Sequence, residues 1–491
     1  MTQTDKGSKS YLFSIVLVAV LGGLLFGYDT AVVNGAGPGF KAFFLGAEDF
    51  KYTLGLHGLC ISSALVGCII GSALSGFLAT KLGRKRSLII AGLLFFVSAL
   101  GSMYPEFLFF EYGKPTLSLL IVFNIYRIIG GIGVGLASAI CPMYIGEVAP
   151  SNIRGMLVSW NQFAIIFGQL VVFFVCFLIM GGHLDVPFVS TEDAIDFSKP
   201  IDAWTVSTSW RYMFGSEAVP AGLFALLICF VPETPRYLVS IGRDDVAERI
   251  LAKINGSGKA KQILQDIKDT MTVKTEKLMT YGFICIFVGV MLSVFQQAVG
   301  INAVLYYSND IFKSIGMENA KMTTVIMGVV NILFTLLAIF TVEKLGRKPL
   351  LIWGSIGMAF GALGVAFTFG HAGYEMITAV SLMVYSACFM FSWGPICWVL
   401  IAEIFPNTIR GGAVAIAVAF QWIFNLIVSS SFPSMFNMHL SKDDDFGHWF
   451  TYGLYGVICL IAAVFVWKLV PETKGKTLED MTKLWKNKIR K

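Results

Sequence analysis

Glu147-Val-Ala-Pro-Ser-Asn-Ile-Arg-Gly155 returns 256 residues later as Glu403-Ile-Phe-Pro-Asn-Thr-Ile-Arg-Gly411. Two further pairs keep the same order along the chain. Leu82-Gly-Arg-Lys85 is matched by Leu345-Gly-Arg-Lys348, and Pro232-Glu-Thr234 by Pro471-Glu-Thr473. Each charged motif falls at the end of an apolar run. A chain that repeats such boundaries in order is built as two similar halves, and two parallel halves facing each other enclose a central cavity.

The apolar runs fix the class. They cover Tyr11–Val33, Leu54–Ala79, Leu88–Met103, Leu117–Ile140, Met156–Met180 and Met213–Val231, then Leu278–Tyr307, Met322–Val342, Leu350–Phe369, Met376–Ile401, Ala413–Met435 and Trp449–Val470. Most approach the roughly 20 residues that cross a bilayer. Only 14% of residues are charged, against about 25% in soluble domains, too few to cover a soluble surface of this length. The expectation is an all-α integral membrane fold of twelve spanning helices. Residues 1–231 form the first six-helix half, 232–277 a linker, 278–470 the second half and 471–491 a tail. In the linker, Val246, Ile250, Ile254, Ile263, Leu264 and Ile267 recur at helical spacing, which predicts short amphipathic helices on the inner face.

Of the 37 Lys and Arg, 27 fall in the segments that share a side with the N-terminus. The positive-inside rule places both termini in the cytoplasm and explains the net charge of +6 without nucleic acid. The first run is long enough to span and has no cleavage signature, so it reads as a helix. All nine cysteines fall in spans, which argues against disulfides and metal sites. Gly256-Ser-Gly-Lys259 lacks the spacing of a phosphate loop and reads as a turn. Gly130-Gly-Ile-Gly-Val-Gly135, inside a span, reads as close helix packing, as do Gly67, Gly71 and Ser75.

Polar side chains within the spans carry the functional signal. Gln162, Gln169, Gln296, Gln297, Asn302, Asn331, Gln421 and Asn425 are accompanied by Trp393, Trp398 and Trp422. Amides donate and accept without charge, and indoles cover apolar C–H faces, so the set suits a small neutral sugar. The competing reading is that such amides bind helices to one another. On an ideal helix Gln297 and Asn302 would not share a face, so an unwinding at Gly300 is expected, with a bend at Gly394-Pro395. Asp29, Arg127 and Glu217 are charged residues in apolar runs and are functional candidates for that reason. At 1.5 Å per residue, Asp29 would lie roughly 6 Å below the outer end of its run, with Arg127 deeper in its own, both in the outer leaflet. The hypothesis is that protonation of Asp29 breaks its pair with Arg127 and shifts the halves.

These motifs, with Gly-Gly-Leu-Leu-Phe-Gly-Tyr-Asp (22–29), Asn-Gln-Phe-Ala-Ile-Ile-Phe-Gly-Gln (161–169), Gln-Gln-Ala-Val-Gly-Ile-Asn (296–302) and Trp-Gly-Pro-Ile-Cys-Trp (393–398), resemble the sugar porter family of the major facilitator superfamily over essentially the whole chain. Within that family the motifs resemble those of bacterial D-xylose–proton symporters. The resemblance implies sugar binding by Gln169, Gln296, Gln297, Asn302, Trp398 and Gln421, and a cavity lined by Phe26, Tyr306, Asn331, Gly394 and Trp422. It implies proton coupling through Asp29 and Arg127, tuned by Glu217. The boundary motifs supply a cytoplasmic gate of Arg84, Glu147, Arg154, Glu233, Glu343, Arg347, Glu403, Arg410 and Glu472. Their charges would pair or cap helix ends, and would gate if the pairs bridge the halves. Thr80 departs from the family's usual Asp. The expected partners are a neutral sugar, a proton and the lipid bilayer, in a monomer of the bacterial inner membrane, with no metal or cofactor. The alternatives are a uniporter without proton coupling, which Asp29 argues against, and a sensor, which the short tail argues against. A membrane enzyme would need a nucleophile–base, metal or nucleotide motif, and the sequence offers none.

Overall fold

The computed structural model describes residues 7–107, 109–150, 153–181, 204–271, 278–406, 408–438, 446–474, 481 and 483–486. The first half contains α1 (Lys9–Leu45), α2 (Leu54–Lys81), α3 (Arg84–Met103), α4 (Leu117–Val148), α5 (Arg154–Met180), α6 (Trp210–Gly215) and α7 (Ala218–Leu227). Three short helices follow: α8 (Pro235–Ser240), α9 (Asp244–Asn255) and α10 (Ser257–Met271). The second half contains α11 (Gly282–Ala298), α12 (Ile301–Tyr306), α13 (Ser308–Ser314), α14 (Ala320–Leu345), α15 (Arg347–Thr368), α16 (Glu375–Phe391), α17 (Trp393–Glu403), α18 (Arg410–Phe436) and α19 (Phe446–Leu469). Among the described residues, eleven helical stretches are long and apolar enough to cross a membrane. The twelfth expected span is assembled from pieces. Pro220 has no N–H to give Ser216, so the helix tightens at Ser216-Glu217 and separates α6 from α7.

Helix packing is close where glycines allow it. A Cβ on Gly131 would lie 1.8 Å from the Ala64 carbonyl oxygen, and one on Gly67 would lie 2.0 Å from that of Ile128. The glycine run in α4 is therefore the surface on which α2 packs. Gly256, with φ 90°, turns the chain between α9 and α10, as read from the sequence.

Both expected interruptions are present, with one displaced. Gly300 takes φ 90° and ψ 6° between α11 and α12. A side chain there would also meet the Tyr455 ring at 2.3 Å, so glycine is required twice over. The tenth span breaks at Ser392 (φ −127°, ψ −88°), two residues before Gly394. Pro395 cannot donate to the Phe391 carbonyl, so the disturbance falls in the turn preceding it. A third break, at Tyr307 between α12 and α13, was not signalled by the sequence.

One depth is corrected. The apolar run of the first span ends at Val33, but α1 continues to Leu45 because Phe40, Phe43 and Phe44 are buried against Tyr52 and Trp210. Asp29 therefore lies about 24 Å along the helix from its outer end, not 6 Å.

The halves meet at their outer ends. Asn34 of α1 donates to the Leu305 carbonyl at 2.5 Å and to Ser308, and accepts from the Asn309 backbone N–H at 3.3 Å. It thus satisfies groups freed by the break at Tyr307. Gly58 of α2 abuts the Ser430 carbonyl and Pro433 of α18. At this end the two halves are in direct contact.

Candidate functional site

A cavity lies between the halves, enclosing about 590 Å³ of space that includes its opening to solvent. It is lined by Phe26 and Thr30 of α1, Gln162 and Gln169 of α5, Gln296 and Gln297 of α11, and Asn302 and Tyr306 of α12. Gly394 and Trp398 of α17 and Gln421, Trp422 and Asn425 of α18 complete the polar and aromatic wall. All six residues expected to bind sugar line this one space. The turn at Gly300 brings Asn302 back so that its amide donates to Gln297 Oε1 at 2.6 Å. Gln297 in turn donates to Gln296 Oε1 at 2.8 Å, and Gln421 donates to the same oxygen. The amides form one connected chain centred on Gln296.

Three polar atoms of this wall are buried and without a partner: Gln169 Oε1, Gln421 Oε1 and Trp422 Nε1. Two acceptors and a donor are thus left for an occupant, since buried polar atoms in native proteins are almost always paired. The Trp422 ring lies 5.5 Å from that of Phe26, which places an aromatic floor across the seam. Nothing on the wall is charged. A hydroxylated, uncharged ligand with an apolar ring face matches it.

Asn331 is a correction. It does not line the cavity; it is 1% exposed, and its Oδ1 accepts from Ser386 Oγ at 2.7 Å, joining α14 to α16. Here the amide binds helices together. Conversely, Phe389 and Met390 line the cavity and gave no sequence signal, because apolar residues in apolar runs are indistinguishable.

Below the cavity wall, beside Thr30, Asp29 pairs with Arg127 of α4; both are buried, at 0% and 2% exposure. Arg127 also donates to the Asp29 carbonyl at 3.3 Å and lies 5.0 Å from the Phe214 ring. Glu217, at the α6–α7 interruption, interacts electrostatically with both. Asp29 Oδ2, Arg127 Nε and Glu217 Oε1 have no partner. The three charges read from the sequence are therefore one cluster, within the first half.

A second buried pair escaped the sequence reading. Arg211 grips both carboxylate oxygens of Glu106, under the rings of Trp210 (4.3 Å), Tyr112 (4.8 Å) and Phe43 (5.2 Å). Glu106 falls between two apolar runs, where a charge looks solvated.

At the inner ends the two halves repeat one construction. Arg84 pairs with Glu147 at 2.7 Å, and Arg347 with Glu403 at 3.1 Å. Thr234 donates to Glu147 and Thr473 to Glu403, each at 2.6 Å. Glu233 caps the first turn of α3 through the Arg84 and Lys85 N–H groups, and Glu472 does the same for Arg347 and Lys348. None of these contacts joins one half to the other; each ties a half to itself or to the segment that follows it, so the idea that the pairs bridge the halves is not met in this structure. Arg154 is exposed at the start of α5. The side chains of Glu343 and Arg410 lie outside the described residues.

The two caps titrate in opposite directions. Burial, outweighing backbone N–H bonds, lifts Glu233 above the ordinary glutamate value of 4.5. For Glu472 burial is again the largest single influence, but N–H bonds from Lys474, Lys348, Arg347 and Thr473 together outweigh it and hold the carboxyl below 4.5. Folding thus tightens proton binding at Glu233, so its share of stability grows as pH falls through the window above 4.5. Folding loosens proton binding at Glu472, so its share is lost as pH falls below 4.5. Melting temperatures from about pH 3 to 7 should show Glu233→Gln flattening the upper limb and Glu472→Gln the lower. Identical profiles for the two variants would contradict the assignment.

The family model for sugar (and other) transporters matches residues 15–485. The D-xylose-proton symporter of Escherichia coli (strain K12) is 47% identical over 99% of this chain and 98% of its own length. The glucose facilitated diffusion protein of Zymomonas mobilis is 34% identical over 99% of both chains. The partially occluded inward-open structure of the xylose transporter XylE from E. coli superposes with a TM-score of 0.82 at 46% identity, covering 96% of this chain and all of that one. With two six-helix halves, an amide-lined cavity between them and a match running nearly from end to end, this chain belongs to the sugar transporter family, in the sugar porter branch of the major facilitator superfamily.

Proposed function

We propose that the chain imports an aldose, D-xylose foremost, together with a proton, by alternating access across the bacterial inner membrane. Both termini are taken to face the cytoplasm and the working unit to be a monomer. The carrying observation is the placement of the buried Asp29–Arg127 pair. Asp29 adjoins Thr30 of the cavity wall, and one of its oxygens is unpartnered. Protonation of that carboxylate releases Arg127, whose charge then turns to Glu217, and the first half changes shape around the loaded cavity. The uncharged wall of amides and indoles suits a sugar, and the E. coli relative is named for D-xylose and protons. No step requires a cofactor.

A uniporter is the second reading, favoured by the Zymomonas relative's name. The two readings separate in lightly buffered, de-energised cells. Adding D-xylose should alkalinise the medium, and a protonophore should abolish the signal. Sugar entry without alkalinisation would leave the uniporter. Competition of labelled D-xylose uptake by a panel of aldoses would rank the substrates.

A further inference from the structure

Asp29 and Glu217 lie on different helices, and a hydrogen bond joins their immediate neighbours in the chain. Tyr28 Oη and Ser216 Oγ are 2.7 Å apart. Ser216 already donates its single hydroxyl proton to the Met213 carbonyl at 2.6 Å, so the Tyr28 phenol is the donor between them. Tyr28 is 2% exposed and is not among the residues that line the cavity.

The bond reaches Glu217 where little else orients it. At the tightened turn between α6 and α7, the Ser216 N–H bonds the Tyr212 carbonyl at 2.8 Å, whereas the Glu217 N–H reaches that of Phe214 only at 3.4 Å. The second distance lies beyond the usual N–H···O range, so the turn is loosely held by its own backbone. Glu217 is 1% exposed, its Oε1 has no partner, and the charged groups it interacts with are Asp29 and Arg127. Tyr28 ties this turn to α1 one residue away from Asp29.

We propose, resting on the proton-coupling reading, that Tyr28 is a positioning residue whose hydroxyl holds the α6–α7 turn so that Glu217 shares Arg127 with Asp29. Two carboxylates that share one guanidinium take up a proton more readily than one that has it alone. Loosening Glu217 therefore makes the cluster harder to protonate and moves transport to more acid pH. The other titratable groups around the cluster are Cys68 of α2, Cys176 of α5 and Tyr306 of α12. Arg211, on α6, is engaged by Glu106. Free thiols and phenols are neutral below about pH 8, so the carboxylates alone respond across the acid range.

The test is uphill D-xylose uptake by the full chain in proteoliposomes, from about pH 5 to 8 with the pH difference and potential held constant. Tyr28→Phe keeps the ring and strands no donor, since Ser216 still bonds Met213. Its half-maximal pH should fall by at least about 0.5, with counterflow within about twofold of wild type. Ser216→Ala should shift the profile the same way. In a Glu217→Gln background, Tyr28→Phe should produce no further shift, because no second charge remains to be placed. If that background does not accumulate sugar, the pH dependence of D-xylose binding makes the same comparison. A midpoint that stays or rises, or a shift of equal size in the Glu217→Gln background, means that the bond only ties helices together. That result overturns the positioning role and leaves coupling intact. A wild type that accumulates no sugar at any pH overturns the coupling reading and the positioning role with it.

Discussion

Asp29→Asn should abolish uphill sugar accumulation and spare counterflow. Asparagine keeps the volume and can still bond Arg127, but it cannot carry a proton. Counterflow exchanges sugar for sugar and needs no net proton movement. One charge moving through about 100 mV is worth roughly 2.3 kcal/mol, which sustains about 50-fold accumulation of a neutral solute. In the variant that ratio should fall to about 1, with counterflow within a few-fold of wild type. Arg127 would not be left as an uncompensated buried charge, because Glu217 lies within its electrostatic reach and can serve as counter-ion. Parallel measurements of both activities in proteoliposomes check this. Uphill uptake that survives unchanged would remove Asp29 from the coupling mechanism.

Gln296→Leu should be the most damaging single change to sugar binding. Gln296 Oε1 accepts from both Gln297 and Gln421, so leucine strands two buried amide donors and frees both side chains to move. Each stranded donor costs about 1–3 kcal/mol, and the loss in apparent affinity should be at least about 30-fold. Asn331→Leu is the control. Asn331 bonds Ser386 away from the cavity, so its loss should lower the melting temperature and leave affinity within about threefold. Binding of labelled D-xylose to the two purified variants separates the roles. Equal affinity losses would mean that the amide chain has no special part in recognition.

What the sequence disclosed follows from where each signal resides. The twelve-span, two-half plan was legible because burial in lipid demands long apolar runs, and because ordered charged motifs reveal repetition. The break at Gly300 was legible from a geometric conflict between Gln297 and Asn302 with glycine between them. The break at Tyr307 was not, since its freed backbone groups are satisfied by Asn34, 271 to 275 positions away. Asn331 illustrates the opposite limit. An amide in a span looks the same whether it faces a cavity or a neighbouring helix, and only the tertiary arrangement, with Ser386 opposite, decides. The outer end of α1 and the Arg211–Glu106 pair were missed for a related reason. Their stability comes from aromatic partners distant in the chain, and local composition there reads as loop. The boundary motifs were rightly placed at helix ends, but their partners within each half could be assigned only from three-dimensional contacts.

The account stands on an uncharged sugar being gripped between the halves by the amides around Gln296. A structure determined with D-xylose bound addresses that directly. The pyranose should lie between Gln169 and Gln297, with its C–H face toward an indole and its hydroxyls on Gln169 Oε1 and Gln421 Oε1. Density for the sugar elsewhere, with these side chains turned toward lipid or closed on one another, would contradict it.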